Sequence, residues 1–296
     1  MYKRQPKYIA DQLVSKGYKI YWLCDDVSKY QFPDYINAIN KNSFTALFHL
    51  ATAGAWIDNC RKPIWIVKRK KQRYYQTWHG SFGIKKAEGD AMDKLEREYV
   101  ESAINDSKMI DRLFSDSEFG KKVWVRSFWI EENKIDITGL ARTDIFWHET
   151  KLEIINKVKQ SLGIDESQKI VLYAPTFRNN GDEQVIDFSQ VINSFNKSLG
   201  GDWKFVYRFH PRSKGKIKYK DAVNASAYED MQELLLTADA LITDYSGCSI
   251  DMILQKKPVF MYAEDIDSYV KERGLALSMD CLLYTSDAAD EARSVD

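Results

Sequence analysis

The stretch Ala240-Leu241-Ile242-Thr243-Asp244-Tyr245-Ser246-Gly247 passes from a short apolar segment, through polar residues, into an amphipathic segment that ends at Leu254. Ala240 to Thr243 reads as a strand and Ser246 to Leu254 as a helix. Strand, polar turn, helix is the repeating unit of a parallel α/β sheet. The alternation continues outward. Pro258 to Met261 reads as a further strand. Upstream lie a helix at Asp230 to Ala238, a strand at Trp203 to Phe209, a helix at Phe188 to Leu199, a strand at Lys169 to Tyr173 and a helix at Lys151 to Leu162, stopped by Gly163. An earlier set has helices at Ile9 to Lys16, Phe44 to Ala53, Ala91 to Asn105 and Glu118 to Ser127. Its strands are Tyr18 to Cys24, Ala55 to Ile57, Tyr74 to Trp78, Met109 to Ser115 and Ile135 to Thr138. The fold class is α/β, with two Rossmann-like domains expected over 6–147 and 148–280. No Pro/Gly-rich linker marks the junction near Phe146 to Lys151. The first set opens on a helix where a doubly wound domain opens on a strand, so its first strand is expected to be missing.

Composition bounds the function. The chain has 296 residues, enough for two modest domains, and 44% hydrophobic with 13% aromatic content excludes a disordered chain. Lys+Arg and Asp+Glu number 43 each, so net charge gives no reason to expect nucleic acid, and anion recognition must be local. No stretch approaches the roughly 18 to 20 apolar residues of a membrane span. Four Cys without metal-ligand or CxxC spacing fit a reduced, cytoplasmic setting.

The two ends read differently. Cys281-Leu282-Leu283-Tyr284-Thr285-Ser286 back-translates into one strand of a transposase mosaic end used in sequencing libraries, and Asp287 to Glu291 into the adapter that follows it. Met1-Tyr2-Lys3-Arg4-Gln5 back-translates into the other strand. Residues 1–5 and 281–296 are therefore expected to be adapter-like artefacts, with native sequence from about Pro6 to about Asp280.

In open α/β sheets ligands collect beyond the carboxyl ends of the strands, and the polar clusters fall there. Gln76-Thr77-Trp78-His79-Gly80-Ser81 closes one strand and Ala174-Pro175-Thr176-Phe177-Arg178 follows another. Phe209-His210-Pro211-Arg212 closes a third, and Thr243-Asp244-Tyr245-Ser246-Gly247 a fourth. Ligand groups on the strand ends of two domains imply a cleft between them. In the last cluster Ser246 is expected to cap a helix whose free amides face an anion, with Gly247 allowing close approach. Alone, this segment reads as an ordinary capped helix start. Arg178, His210 and Arg212 on neighbouring strand ends turn the reading toward a diphosphate. His79, as a histidine, whose unperturbed pKa lies near neutrality, suits proton removal from an attacking hydroxyl; taken alone it reads as a hydrogen-bonded core histidine. The run Lys68-Arg69-Lys70-Lys71-Gln72-Arg73 reads either as a solvated loop or as a contact for anionic lipid or polymer. There is no DxD or HxxxD-like cluster, GxGxxG or Walker loop, so neither a metal nor a cofactor is expected.

Taken together, the motifs resemble the CDP-glycerol glycerophosphotransferase family of bacterial cell-wall and capsule enzymes. The matching stretches, in family order, are Trp56 to Asn59, Gln76 to Gly80, Phe114 to Ser117, Thr138 to Asp144, Tyr173 to Arg178, His210-Pro211 and Thr243 to Ser246. The resemblance implies a GT-B-like fold and a peripheral enzyme at the cytoplasmic face of the membrane. It implies transfer of glycerol phosphate from CDP-glycerol to a hydroxyl of a polyol-phosphate or lipid-linked acceptor, releasing CMP. His79 matches the family's candidate base, and His210 the histidine expected at the donor phosphates. Thr176, Arg178, Arg212, Thr243, Asp244, Ser246 and Gly247 are assigned to the donor, and Asp58, Trp78 and Gly80 to the acceptor side. Gly247 stands where the family often has a second Ser. Two other readings share these residues: a GT-B glycosyltransferase or epimerase using a nucleotide sugar, and a polymer-binding protein without turnover.

Overall fold

The computed structural model describes residues 5–80, 84–178, 181, 183–210, 213 and 217–276. Expectations placed on Ser81, Pro211, Arg212, Met1–Arg4 and 281–296 lie outside them. The chain divides into two compact units, Met1–Phe82 with Ala87–Asp144, and Gly83–Lys86 with Ile145–Asp296.

The first unit contains α1 (Gln5–Ser15), β1 (Ile20–Cys24), β2 (Ile36–Asn40), α2 (Phe44–Thr52), β3 (Ala55–Asp58), β4 (Arg73–Gln76), α3 (Arg97–Met109), β5 (Arg112–Ser115), α4 (Glu118–Phe128) and β6 (Ile135–Ile137). Strands β1 and β2 form a parallel pair; β3-β4-β5-β6 form a parallel sheet in that order. Trp56, Tyr74, Leu113, Trp124, Phe128 and Ile135 fill the core of the larger sheet. β2 went unread because its sequence, INAIN, alternates Ile with Asn, which is depleted in strands. The Asn amides are satisfied locally: Asn37 Nδ2 donates to the Ile20 carbonyl at 3.1 Å and Asn40 Nδ2 to the Asp25 carbonyl at 3.0 Å.

The helix expected at Ala91 to Asn105 is not continuous. A 3₁₀ segment, Glu88–Lys94, with a non-helical Ala91, precedes α3, and Glu96 between them is extended. Tertiary anchors override helix propensity here. Asp90 accepts two 2.6 Å bonds from Arg126 and one of 2.8 Å from Ser127 Oγ. Gly89 lies so close to α4 that a Cβ there would meet the Ser127 carbonyl oxygen at 3.0 Å.

The second unit contains α5 (Lys151–Leu162), β7 (Lys169–Tyr173), α6 (Phe188–Leu199), β8 (Trp203–Tyr207), β9 (Val223–Asn224), α7 (Met231–Thr237), β10 (Ala240–Thr243), α8 (Cys248–Ile253), β11 (Val259–Met261) and α9 (Ile266–Arg273). Its five strands are all parallel, in the order β11-β10-β7-β8-β9. From β7 the chain first builds outward through β8 and β9, then returns to the other side for β10 and β11. The order reverses between β7 and β10, which is where open α/β sheets form a ligand crevice. Helix α5 stops at Gly163, which takes φ +65°, a conformation that favours glycine.

Candidate active site

In the first unit the site is built on the ends of β3 and β4. Asp58 closes β3 and folds the next turn onto itself: Oδ1 accepts from the Asn59 and Cys60 amides at 2.7 and 3.1 Å, and Oδ2 from Lys62 Nζ at 2.8 Å. That turn presents the Asn59 carbonyl to His79 Nδ1 at 2.8 Å. A carbonyl only accepts, so Nδ1 carries the proton and Nε2 is the basic nitrogen. His79 is exposed, three residues beyond the end of β4 rather than at it. Its ring lies against Trp78 with centroids 4.1 Å apart. Trp78 has φ +51°, a conformation non-glycine residues rarely adopt, and its amide is held by Gln76 Oε1 at 2.9 Å. Gly80 faces open space: an added Cβ would meet nothing within 4 Å.

Beneath Trp78 lies a buried ion network with no local signature in the sequence. Arg61 reaches Glu88, Asp106 Oδ2 at 3.1 Å and Ser107 Oγ at 2.9 Å, and its guanidinium stacks 4.5 Å from Phe128 and 5.6 Å from Trp78. Asp106 also accepts from Tyr74 Oη at 3.4 Å. Burial pushes the Asp106 carboxyl up, and Arg61 opposes the shift. Partners 27 and 45 residues apart in sequence leave no local pattern to read.

In the second unit the expected residues converge at the carboxyl ends of β7 and β10. Thr243 Oγ1 donates to the Ala174 carbonyl at 2.7 Å. Asp244 is fully buried; Oδ1 accepts from the Thr176 amide at 2.8 Å, and Oδ2 lies 2.9 Å from Arg178 Nη1. The Thr243 and Asp244 side chains therefore tie strand end to strand end. Arg178 is turned inward as well. It donates to Asp265 Oδ2 and Oδ1 at 2.7 and 2.9 Å, to the Thr176 carbonyl at 2.7 Å and to Gln184 Oε1 at 3.0 Å. Its guanidinium packs on Tyr245 and Tyr269, whose rings stack 3.8 Å apart. Although burial pushes the Asp265 carboxyl up, bonds from Arg178 outweigh it and hold the group below the usual carboxylate range. Sequence reading missed Asp265 because α9 carries little apolar periodicity.

The expected helix start is corrected. α8 begins at Cys248, two residues after Ser246, and Gly247 rather than Ser246 is its N-cap, with no side-chain cap bond. Ser246 Oγ instead accepts from the Cys248 amide at 3.5 Å. Thr176 Oγ1 is buried and has no hydrogen-bond partner among the described residues. His210 is exposed three residues beyond the end of β8 rather than at it, since the strand stops at Tyr207 and not at Phe209; its ring lies 5.1 Å from Phe177, which places it beside the same loop.

Comparison with known proteins settles the kinship of this arrangement. The model of the CDP-glycerol:poly(glycerophosphate) glycerophosphotransferases matches residues 1–285. The chain belongs to this family. A teichoic acid poly(glycerol phosphate) polymerase of Bacillus spizizenii is 30% identical over 278 residues, covering 89% of this chain and 70% of that protein. A similar polymerase of Staphylococcus epidermidis is 27% identical; the match covers 91% of this chain but 40% of that longer protein. The solved wall teichoic acid polymerase TagF superposes with a TM-score of 0.82 at 27% identity, covering 93% of this chain and 71% of that one. The GT-B-like α/β fold of this glycerophosphotransferase follows. A UDP-GlcNAc 2-epimerase of Methanocaldococcus jannaschii, 14% identical with a TM-score of 0.51, shares the fold alone.

Proposed function

We propose that this glycerophosphotransferase transfers glycerol phosphate from CDP-glycerol to a hydroxyl of a teichoic-acid-type acceptor, as a peripheral enzyme at the cytoplasmic face of the membrane. Donor chemistry is assigned to the second unit, around His210, Thr176 and the backbone from Ser246 to Cys248. Arg178, Thr243 and Asp244 hold the backbone of residues 174–176 and one another in place rather than touch the phosphates. The acceptor hydroxyl belongs to the first unit. His79 Nε2 takes its proton, the oxygen bonds to the glycerol-bearing phosphorus, and the bond from phosphorus to the bridging oxygen breaks. That oxygen leaves with CMP. Donors fixed before the reaction lower the cost of charge on the leaving oxygens.

The observation that carries this reading is the Asn59 carbonyl bond, which selects the tautomer a base needs. A nucleotide-sugar enzyme would share the fold, and its support ends there. Among the described residues no helix is long and apolar enough to cross a membrane. The test is CMP release from CDP-glycerol with a glycerol-phosphate-primed acceptor. His79→Ala is expected to lower kcat by about a hundredfold to ten-thousandfold, the usual worth of a general base. Release at an undiminished rate would remove His79 from the mechanism, and UDP release from a UDP-sugar would replace the donor.

A further inference from the structure

The connection from β3 to β4 turns at 63–66 and again at 69–72, with the Ile66 and Gln72 amides donating to the Pro63 and Arg69 carbonyls at 3.0 Å each. Lys62 points inward: it is buried, paired with Asp58 at 2.8 Å, and its ammonium lies 5.0 Å from the Trp56 ring and 5.1 Å from Tyr74. Ile66 also points inward, into the core. The outward side chains beside Ile66 are large and apolar. Ile64 is 56% exposed, Trp65 62% and Val67 81%. A crossover that faces only water keeps large apolar side chains inside; this one buries Lys62 and leaves Ile64, Trp65 and Val67 outside.

The segment is held at both ends. Besides Ile66 in the core, buried Gln72 donates to the Leu50 and Ala53 carbonyls at 2.8 and 2.7 Å, and its Oε1 accepts from the Arg69 amide at 2.9 Å. The apolar side chains are thus presented on a fixed scaffold. Directly after them comes the basic run. Lys68 is engaged by Asp111 and Arg69 by the Thr52 carbonyl, but Lys70 and Lys71 are exposed and make no ion pair or hydrogen bond among the described residues. Tryptophan with aliphatic neighbours, next to uncommitted lysines, matches an anionic bilayer surface, where indole favours the interfacial zone and ammonium groups meet headgroup phosphates.

We propose that residues 63–71 are the membrane-contact surface of this unit, with Ile64, Trp65 and Val67 entering the interfacial zone of an anionic bilayer and Lys70 and Lys71 lying at the headgroups. The proposal rests on the peripheral-membrane reading above and gives it a location. Flotation of the full chain with phosphatidylglycerol–phosphatidylcholine vesicles tests it, beside vesicles of phosphatidylcholine alone and with soluble polyphosphate as competitor. The full chain is expected to float with the anionic vesicles. Ile64→Ser/Trp65→Ser/Val67→Ser should stay at the bottom while keeping its melting temperature and its CMP release on a soluble acceptor. Lys70→Glu/Lys71→Glu, a separate variant that leaves the apolar residues untouched, should partition roughly tenfold more weakly or worse. If the unsubstituted chain fails to float, the peripheral reading itself falls. If it floats and both variants float equally well, that reading stands and this surface is wrong. If only the lysine variant is impaired, and polyphosphate competes fully, the segment binds a soluble polyanion and the bilayer proposal is overturned.

Discussion

At the scale of the residue, two side chains act by holding another group rather than by meeting substrate. Asp58 shapes the turn whose carbonyl fixes His79. Asp58→Asn keeps the volume but weakens both the amide contacts and the Lys62 pair. It is expected to lower kcat by about tenfold to a hundredfold, the usual cost of losing an orienting partner, with KM for CDP-glycerol unchanged. An equal rise in KM would show that Asp58 acts on the donor instead. Arg178 is the counterpart in the second unit, packed between Asp244 and Asp265. Removing one partner of a buried pair costs about 3–5 kcal/mol, chiefly by stranding the remaining charge. Arg178→Met should therefore lower the urea midpoint strongly, whereas a residue whose main work was on the donor would leave the midpoint unchanged and alter KM alone.

At the scale of the element, the end of α7 depends on a residue from outside it. Lys257 Nζ donates to the Leu236 and Ala238 carbonyls at 2.6 and 2.7 Å, where a helix leaves carbonyls unpaired. Lys257→Met leaves them without that donor, at a cost of about 1–3 kcal/mol in a thermal or urea melt. Burial pulls the Lys257 pKa down to about 8 from 10.5. Below about 8 both folded and unfolded states carry the proton, and the cost of burying the charge is fully present. Between about 8 and 10.5 the unfolded state binds more protons, so stability rises with pH. The stability gap between the parent and Lys257→Met should accordingly widen from pH 7.5 to 10; a constant gap would mean that Lys257 does not titrate in this window. Elements governed by local signals were legible in the sequence. α5, β7, α6 and β10 lie where periodicity and flanking Gly or Asp put them. Elements set by distant partners were not: the break before α3 follows from Asp90 meeting Arg126, and α8 starts late because the Ser246 oxygens serve a turn.

At the scale of the whole molecule, the site was legible as a set of positions but not as a set of roles. The strand-end motifs pointed to Thr176, Arg178, Thr243 and Asp244, yet in the folded chain the last three spend their polar atoms on one another and on neighbouring backbone. A sequence marks that polar residues gather at a strand end; only the fold decides which face inward. The same distinction governs acid stability, because carboxylates tied to internal cations lose their partners on protonation. Bonds from Lys68 and the Tyr74 amide outweigh burial at Asp111 and hold it below its ordinary pKa in the first unit, as Arg178 holds Asp265 in the second. Each depressed group contributes stability that is present above the unfolded value of 3.8 and lost as pH falls through its lower folded value. Asp106 and Asp144, pushed up by burial, act in the opposite sense between 3.8 and their raised folded values, where their charging on a pH rise disfavours the folded state. The stability that Asp111 and Asp265 contribute should therefore be lost once they protonate, below about 4. Asp265→Asn separates the contributions. Its stability deficit against the parent should be constant above about pH 4 and shrink below it, since the parent's carboxylate is then neutral too. A deficit that persists unchanged to pH 2 would mean that Asp265 serves Arg178 through shape and hydrogen bonding alone, with no share from its charge.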